Sequence, residues 1–298
     1  MANKISLVEK MLPLIDEVYK AEAKSTILEA PAEFVQQTSD ANVVKIAKLD
    51  MVGLGDYNKQ TGFPDGDITL DWETHTFTND RGRRFSVDRM DNEESFNLIA
   101  ARAVGEYLRR YVVPEIDAYR FSKIASADGV VNVSGALDGS SVKKAIDTAI
   151  VNLEEKEIDS ARLALFVTPT VAQLLSDNIT RSTSNGDRAI ENRIETYNGI
   201  QIVRVPQTRL IKGITLNPGT TSTAGGYAKT DGSGVDINFI LMDRGAAYNV
   251  SKLAVAKLIT PDENQNKDAY QFDFRLYHDT FVLANKAQGI YVHTKPAA

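Results

Sequence analysis

Between residues 91 and about 127, apolar side chains recur at three- and four-residue steps: Phe96, Ile99, Ala100, Ala103, Val104, Tyr107, Leu108 and Tyr111. That spacing predicts one stripe of a long amphipathic α-helix, with Phe96, Ile99, Val104, Leu108 and Tyr111 as its core contacts. Asp91 and Glu94 have the spacing of a capping box, and Glu93 places negative charge where a helix N-terminus favours it. Glu106 and Arg110 can pair across one turn. Pro114 has no amide proton, so the helix should kink or open a second segment there, continued by Ile116, Ala118, Tyr119 and Ile124. At 1.5 Å per residue, roughly 35 residues would form a rod about 50 Å long. Such a rod needs apolar company along one side.

Other periods surround it. Residues 1–28 carry an irregular helical stripe of Ile5, Val8, Leu12, Ile15, Val18 and Tyr19, interrupted at Pro13, and should order by docking. Phe34 and Val35 suggest a short extended piece. From Val43 the period becomes two: Val44 and Ile46, then Leu49 and Met51, a turn-rich stretch over 53–67, and Ile68, Leu70 and Trp72 alternating on the way back. This predicts a long hairpin with a wide loop. Each arm of about ten residues would span ~33 Å, and a lone two-stranded ribbon is at best marginally stable. Thr74, Thr76 and Thr78 alternate along one arm, which argues that a neighbouring copy covers the ribbon.

After the rod, Ser141 is the expected cap of a helix through Val142, Ala145, Ile146, Ala149, Ile150 and Leu153. A continuous apolar strand at 163–167 stops at Thr168-Pro169, where Thr168 caps another helix. The Asn198-Gly199 turn opens a strand at 200–205. This β-α-β alternation describes a compact α/β unit. Residues 213–234 read as a Gly-rich loop, long enough to be functional or mobile. Strands at 237–242, 248–257, 270–277, 281–284 and 290–292 complete the pattern. No internal repeat is visible.

A chain of 298 residues, 43% hydrophobic and 25% charged, can build one large or two modest cores. It contains no cysteine, which removes disulfides, thiol catalysis and thiolate metal sites and suits a reducing cytoplasm. No apolar run is long enough for a spanning helix, and the first ten residues are unlike a secretory signal, so a soluble, intracellular product is expected. A net charge of −6 disfavours sequence-independent nucleic-acid binding. The one basic cluster, Arg81, Arg83, Arg84 and Arg89, suits a solvated hairpin base or ion pairs between chains.

Chemistry leaves little trace. Gly53-Leu54-Gly55 lacks the third glycine and the helix of a dinucleotide fingerprint. The glycines near 225 lack the Gly-Lys-Ser/Thr of a phosphate loop. His75, His278 and His293 lie on separate strands without spaced partners, and no Gly-x-Ser-x-Gly elbow occurs. No catalytic, cofactor-binding or metal-binding residue is assigned, and no cofactor is expected.

The order of elements, with Val113-Pro114-Glu115-Ile116-Asp117-Ala118-Tyr119-Arg120, Thr168-Pro169-Thr170, Asn198-Gly199-Ile200, Asp243-Arg244-Gly245-Ala246, His278-Asp279-Thr280-Phe281-Val282 and Lys286-Ala287-Gln288-Gly289-Ile290, resembles tailed-bacteriophage major capsid proteins of the Hong Kong 97 fold, in particular those of phages of Gram-positive bacteria. The resemblance covers nearly the whole chain. It implies an α+β fold with an N-terminal arm at 1–40 and an extended β-hairpin loop at 41–88. Residues 89–127 and 250–298 would form a peripheral domain with a long spine helix, and 128–249 an axial α/β domain.

The implied function is a non-catalytic shell subunit. Hexamers and pentamers would close an icosahedral virion capsid around double-stranded DNA, assembled in the host bacterial cytoplasm. DNA would be enclosed without sequence-specific binding, and no membrane is involved. A portal is implied, and with only roughly 40 residues before the hairpin, a separate scaffold protein or none. Expected inter-subunit contacts are Tyr57, Lys59, Phe63, Trp72, Phe77, Arg81, Arg83 and Arg84. Lys59 is read as an ordinary exposed lysine, without a motif for a covalent partner. The rival readings are an encapsulin-like nanocompartment shell, an enzyme of unknown class and a tail or adaptor protein.

Overall fold

The computed structural model describes residues 23–29, 35–37, 42–60, 62–63, 65–94, 105–178, 194–220 and 222–296. Three strands come first, β1 (Val35–Gln37), β2 (Val43–Met51) and β3 (Ile68–Thr76). They are followed by β4 (Asn79–Asp88), α1 (Arg89–Glu94), a π-helical turn (Leu108–Val112) and α2 (Val113–Ser126). The middle of the chain supplies β5 (Val131–Ser134), α3 (Val142–Glu154), β6 (Leu163–Val167), α4 (Pro169–Asp177), β7 (Thr196–Tyr197), β8 (Ile200–Arg204) and β9 (Ile211–Lys212). The remaining strands are β10 (Ile214–Asn217), β11 (Gly226–Lys229), β12 (Val235–Asp243), β13 (Ala247–Ile259), β14 (Ala269–Val282) and β15 (Ile290–Thr294).

A mixed sheet of order β5-β15-β12-β6-β8-β7 forms the centre, with β9 pairing to the start of β12. β6 reads Leu-Ala-Leu-Phe-Val without alternation because both of its faces are covered. Leu163, Leu165 and Val167 pack with Val142, Ile146, Ala149 and Leu153 of α3 and Val171 and Leu175 of α4. Ala164 and Phe166 face the other way, onto Phe121, Ile124 and Ala125 of α2. The Phe121 and Phe166 rings meet edge to face at 5.1 Å.

Of the expected spine contacts, Phe96, Ile99 and Val104 lie outside the described residues. The described parts of the spine depart from the expected form. The helix begins at Arg89, two residues before the expected cap: Asp88 Oδ1 accepts the Met90 N–H at 2.9 Å, which leaves Asp91 inside the first turn. Residues 108–112 form a π-turn directly before Pro114, which sits in the first turn of α2. The i→i+5 spacing turns the following side chains away from the α-helical stripe. Leu108 is 2% exposed and packs with Val112, Ile116, Ala256 and Phe272, whereas Tyr111, expected beside it, is 58% exposed and is not a core residue.

Thr168 caps α4 as expected, accepting the Val171 N–H. Ser141 occupies the cap position of α3, but its hydroxyl bonds to Asp138 instead of the helix. Hydrogen bonds from Ser140 and Ser141 hold the Asp138 carboxyl down at about 2. Asn198 and Gly199, at φ 48° and 80°, make the two-residue turn between β7 and β8, where positive φ at both positions favours this pair of residues. The Gly-rich stretch expected to be a loop contains a paired hairpin, β10 with β11.

β4 was expected within the hairpin and β15 with the peripheral strands. Instead, β4 pairs with β14 in the sheet β13-β14-β4, and β15 lies inside the central sheet between β5 and β12.

Candidate assembly surface

β2 and β3 form the expected ribbon, in register from Val43 opposite Thr76 to Met51 opposite Ile68. Its two faces differ. At the base, Val44 and Ile46 are fully buried with Phe77, Val250, Phe281 and Leu283, and His75 stacks on Phe281 at 4.7 Å. Period-two alternation puts Ile68, Leu70 and Trp72 on the opposite face, where they are 73%, 56% and 43% exposed. Met51, opposite Ile68, is exposed with them, as are Leu54, Tyr57 and Phe63 around the tip. The Tyr57 and Phe63 rings lie 5.0 Å apart. A run of exposed large apolar groups of this length marks an interaction surface.

Phe77 and Thr78 alone join the ribbon to β4. The Phe77 N–H closes the ribbon base on the Asn42 carbonyl at 2.9 Å, and the Tyr277 hydroxyl donates to Asn42 Oδ1 at 3.1 Å. Asp279, 1% exposed, accepts the Thr78 N–H and hydroxyl and the Tyr119 hydroxyl. Burial, the largest cause, raises the Tyr119 phenol above its ordinary value, so it stays protonated as the donor. Asn79 meets His278 Nε2 at 3.0 Å. Desolvation, assisted by Arg120, pushes the His278 imidazole down to about 3.

A second polar joint binds residues 23–29 to the spine. Asp117, fully buried, accepts the Lys24 and Ser25 N–H groups, the Ser25 hydroxyl and the Arg209 guanidinium, while Arg120 donates to Ser25 Oγ at 2.9 Å. Sequence reasoning missed Asp117 and Arg120 as core groups, because charged residues between apolar ones read as a solvated face. Their one signal is position: they sit among Ile116, Ala118, Tyr119 and Phe121, which leaves little room for a polar stripe.

The residues expected at inter-subunit contacts divide into two groups. Tyr57, Lys59, Phe63 and Trp72 stand exposed on the ribbon. Phe77 does not, since at 4% exposure it belongs to the chain's own core. The arginines are engaged within the chain. Arg81 pairs with Glu115 at 2.7 Å and donates to the Asn217 and Gly226 carbonyls, Arg83 donates to the Gly219 carbonyl, and Arg84 forks onto Asp273. Together they anchor the β10-β11 hairpin and β14 to β4. Among the described residues, no cluster of three or more His, Asp or Glu could hold a metal, and no helix is long and apolar enough to cross a membrane.

No protein-family profile and no curated protein matches the chain. Solved structures do. A chain of the capsid of the cyanophage P-SCSP1u is similar over 88% of this chain and 86% of its own, with 11% identity and a TM-score of 0.60. A chain of the bacteriophage PhiM1 mature capsid is similar over 88% and 84%, with 13% identity and a TM-score of 0.54. A chain of the virus-like particle from Pyrococcus furiosus is similar over 97% and 100%, with 11% identity and a TM-score of 0.51. With its spine, projecting ribbon and central mixed sheet, the chain has the α+β, Hong Kong 97-like fold of tailed-phage major capsid proteins.

Proposed function

We propose that this chain is a major capsid protein whose copies close into an icosahedral shell around the double-stranded DNA of a tailed phage, without catalytic activity. The observation that carries the reading is the two-faced ribbon. One face is seated on the chain's own core, and the other holds Ile68, Leu70 and Trp72 out to water. A monomer gains nothing from that second face, whereas a neighbouring copy laid against it removes apolar surface from water at about 25 cal/mol per Å². The likeness to phage capsid chains supports the same reading.

In this reading residues 1–40 are an arm, the ribbon is the extended loop, β13-β14-β4 and the spine form the peripheral domain, and the central sheet forms the bulk of the axial domain at hexamer and pentamer centres. A portal and a separate scaffold protein are the expected partners, and assembly takes place in the host cytoplasm. An acidic subunit of net charge −6 suits a container that repels its polyanionic cargo.

The second reading is a nanocompartment that encloses protein, favoured by the full-length likeness to the Pyrococcus furiosus particle. The test is to express the chain, purify assembled material and examine it by negative-stain microscopy, then digest particles isolated from their natural source with nuclease and protease. Closed shells holding DNA support the capsid reading, shells holding an enzyme support the compartment, and a chain that stays monomeric at high concentration overturns both.

A further inference from the structure

Period-two alternation puts Arg81, Arg83 and Phe85 on one face of β4, in register with Leu276, Phe274 and Phe272 of β14. The space between this face, the spine and the β10-β11 hairpin is not filled. A cavity of about 480 Å³ remains there, bounded by Tyr107, Tyr111 and Glu115 on the spine side and by Gly219 and Gly225 on the hairpin side. Cavities of roughly 300–1,000 Å³, mostly apolar with a few placed polar groups, are of the size that takes small organic ligands. One end is aromatic. The Tyr107 ring meets Phe85 at 4.7 Å and Phe274 at 6.3 Å, both edge to face, and lies 5.9 Å from Tyr111. Burial, the largest cause, raises the Tyr107 phenol above its ordinary value, so the ring adds no negative charge to the wall.

The charges around the cavity do not cancel. Glu115 is paired with Arg81 at 2.7 Å, and both oxygens of Asp80 accept from Arg275. Arg83, in contrast, donates among the described residues only to the neutral Gly219 carbonyl, at 2.9 Å. Glycine permits that approach, since a Cβ at position 219 would come within 2.8 Å of Arg83 Nη1. The guanidinium is thereby held at the cavity with donors to spare and no carboxylate to balance it. Arg83 and Phe85, two residues apart on one face of a strand, are separated by about 7 Å. That is the reach from a carboxylate to the second ring of a naphthalene.

We propose that this cavity binds a small organic anion with a flat aromatic body, its carboxylate on the Arg83 guanidinium and its rings among Phe85, Tyr107 and Phe274. A guanidinium fork matches a planar anionic head in two parallel hydrogen bonds, and ring clusters accept a further ring in edge or offset contact. A single chain carries the whole site, so the inference goes beyond the shell reading and does not depend on it.

Equilibrium dialysis of the full-length chain against three probes tests it, whether or not the chain assembles. The probes are 2-naphthoate, its neutral analogue naphthalene-2-methanol, and acetate, which has the head without the rings. The expected result is one 2-naphthoate per chain, held at least about tenfold more tightly than either of the others. Arg83→Gln, an exposed position, should erase the preference for the naphthoate over the alcohol, and Phe85→Ala should weaken both. The comparison of the three probes on the unaltered chain needs no variant to fold. No retention of 2-naphthoate, equal retention of the alcohol, or a preference that survives Arg83→Gln overturns the site and leaves the shell reading standing.

Discussion

Thr78 and Asp279 are 201 residues apart in sequence, yet the Asp279 carboxylate accepts both the N–H and the hydroxyl of Thr78 at 2.8 Å. This pair locks the short link from which the ribbon projects. Asp279→Ala would strand the Thr78 N–H without an acceptor and leave the Tyr119 hydroxyl only the Thr78 hydroxyl at 3.2 Å, and should cost about 2–4 kcal/mol of folding free energy. Urea unfolding of the monomeric chain measures it. A loss below about 0.5 kcal/mol, the range of ordinary surface changes, would mean the link is held by other contacts.

The three histidines predict acid sensitivity. Burial lowers His75 by more than the nearby Glu73 and Asp279 carboxylates raise it, and burial also lowers His293 and carries His278 down to about 3. In each case the folded value lies below the unfolded value of about 6.5, so the neutral ring contributes stability that is complete above pH 6.5 and is lost as pH falls toward the folded value. Asp80 and Asp273, lowered by hydrogen bonds from Arg275 and Arg84, lose their contribution only below the ordinary carboxylate range. Between pH 6.5 and about 4.5, therefore, the histidines set the slope. His278→Gln should remove about one proton from that slope, roughly 1.4 kcal/mol per pH unit. Unfolding free energies measured across this window check it, and an unchanged slope would refute the assignment.

Leu108 and Tyr111 separate what helical periodicity can and cannot foresee. Leu108→Ala should cost about 2–5 kcal/mol as a buried truncation. Tyr111→Ala should cost under about 1 kcal/mol, because the ring is largely in water. Equal losses in thermal or urea unfolding would mean the π-turn does not redirect the stripe.

Much of the architecture is legible because it rests on local rules. Alternation at Ile68, Leu70 and Trp72 marks the ribbon, the uninterrupted Leu163 to Val167 run marks a strand covered on both faces, and Thr168-Pro169 and Asn198-Gly199 mark a cap and a turn. What escapes depends on partners distant in sequence. Nothing near Asp117 announces that Ser25 and Arg209 will satisfy it, and nothing near Thr78 points to Asp279. Alternation puts Phe77 on the face of His75, opposite Ile68, Leu70 and Trp72, but nothing near it announces Val250 and Phe281, from the far end of the chain, which cover it. The β10-β11 hairpin is hidden by its glycines, although Ile214 and Leu216 alternate and Tyr227 faces Leu216 in register. The exposed outer face of the ribbon is legible in outline, whereas the roles of Arg81, Arg83 and Arg84 depend on carbonyls and carboxylates that only the fold brings near.

The ribbon's outer face allows stability and assembly to be separated. Leu70 and Trp72 are exposed in the single chain, so Leu70→Glu with Trp72→Glu should change its unfolding free energy by no more than about 1 kcal/mol. In a shell, the same carboxylates would be pressed into an apolar contact and lose their water, a cost of several kcal/mol at each of many repeated interfaces. Deleting residues 56–66 should act in the same direction, leaving a folded monomer without the exposed Tyr57 and Phe63. Ile46→Asp should do the opposite, damaging the fold itself, because that side chain is fully buried at the ribbon base. Size exclusion with light scattering, paired with urea unfolding, distinguishes the cases. Complete particles from the double Glu variant would show that the ribbon's apolar face is not the surface that joins the subunits.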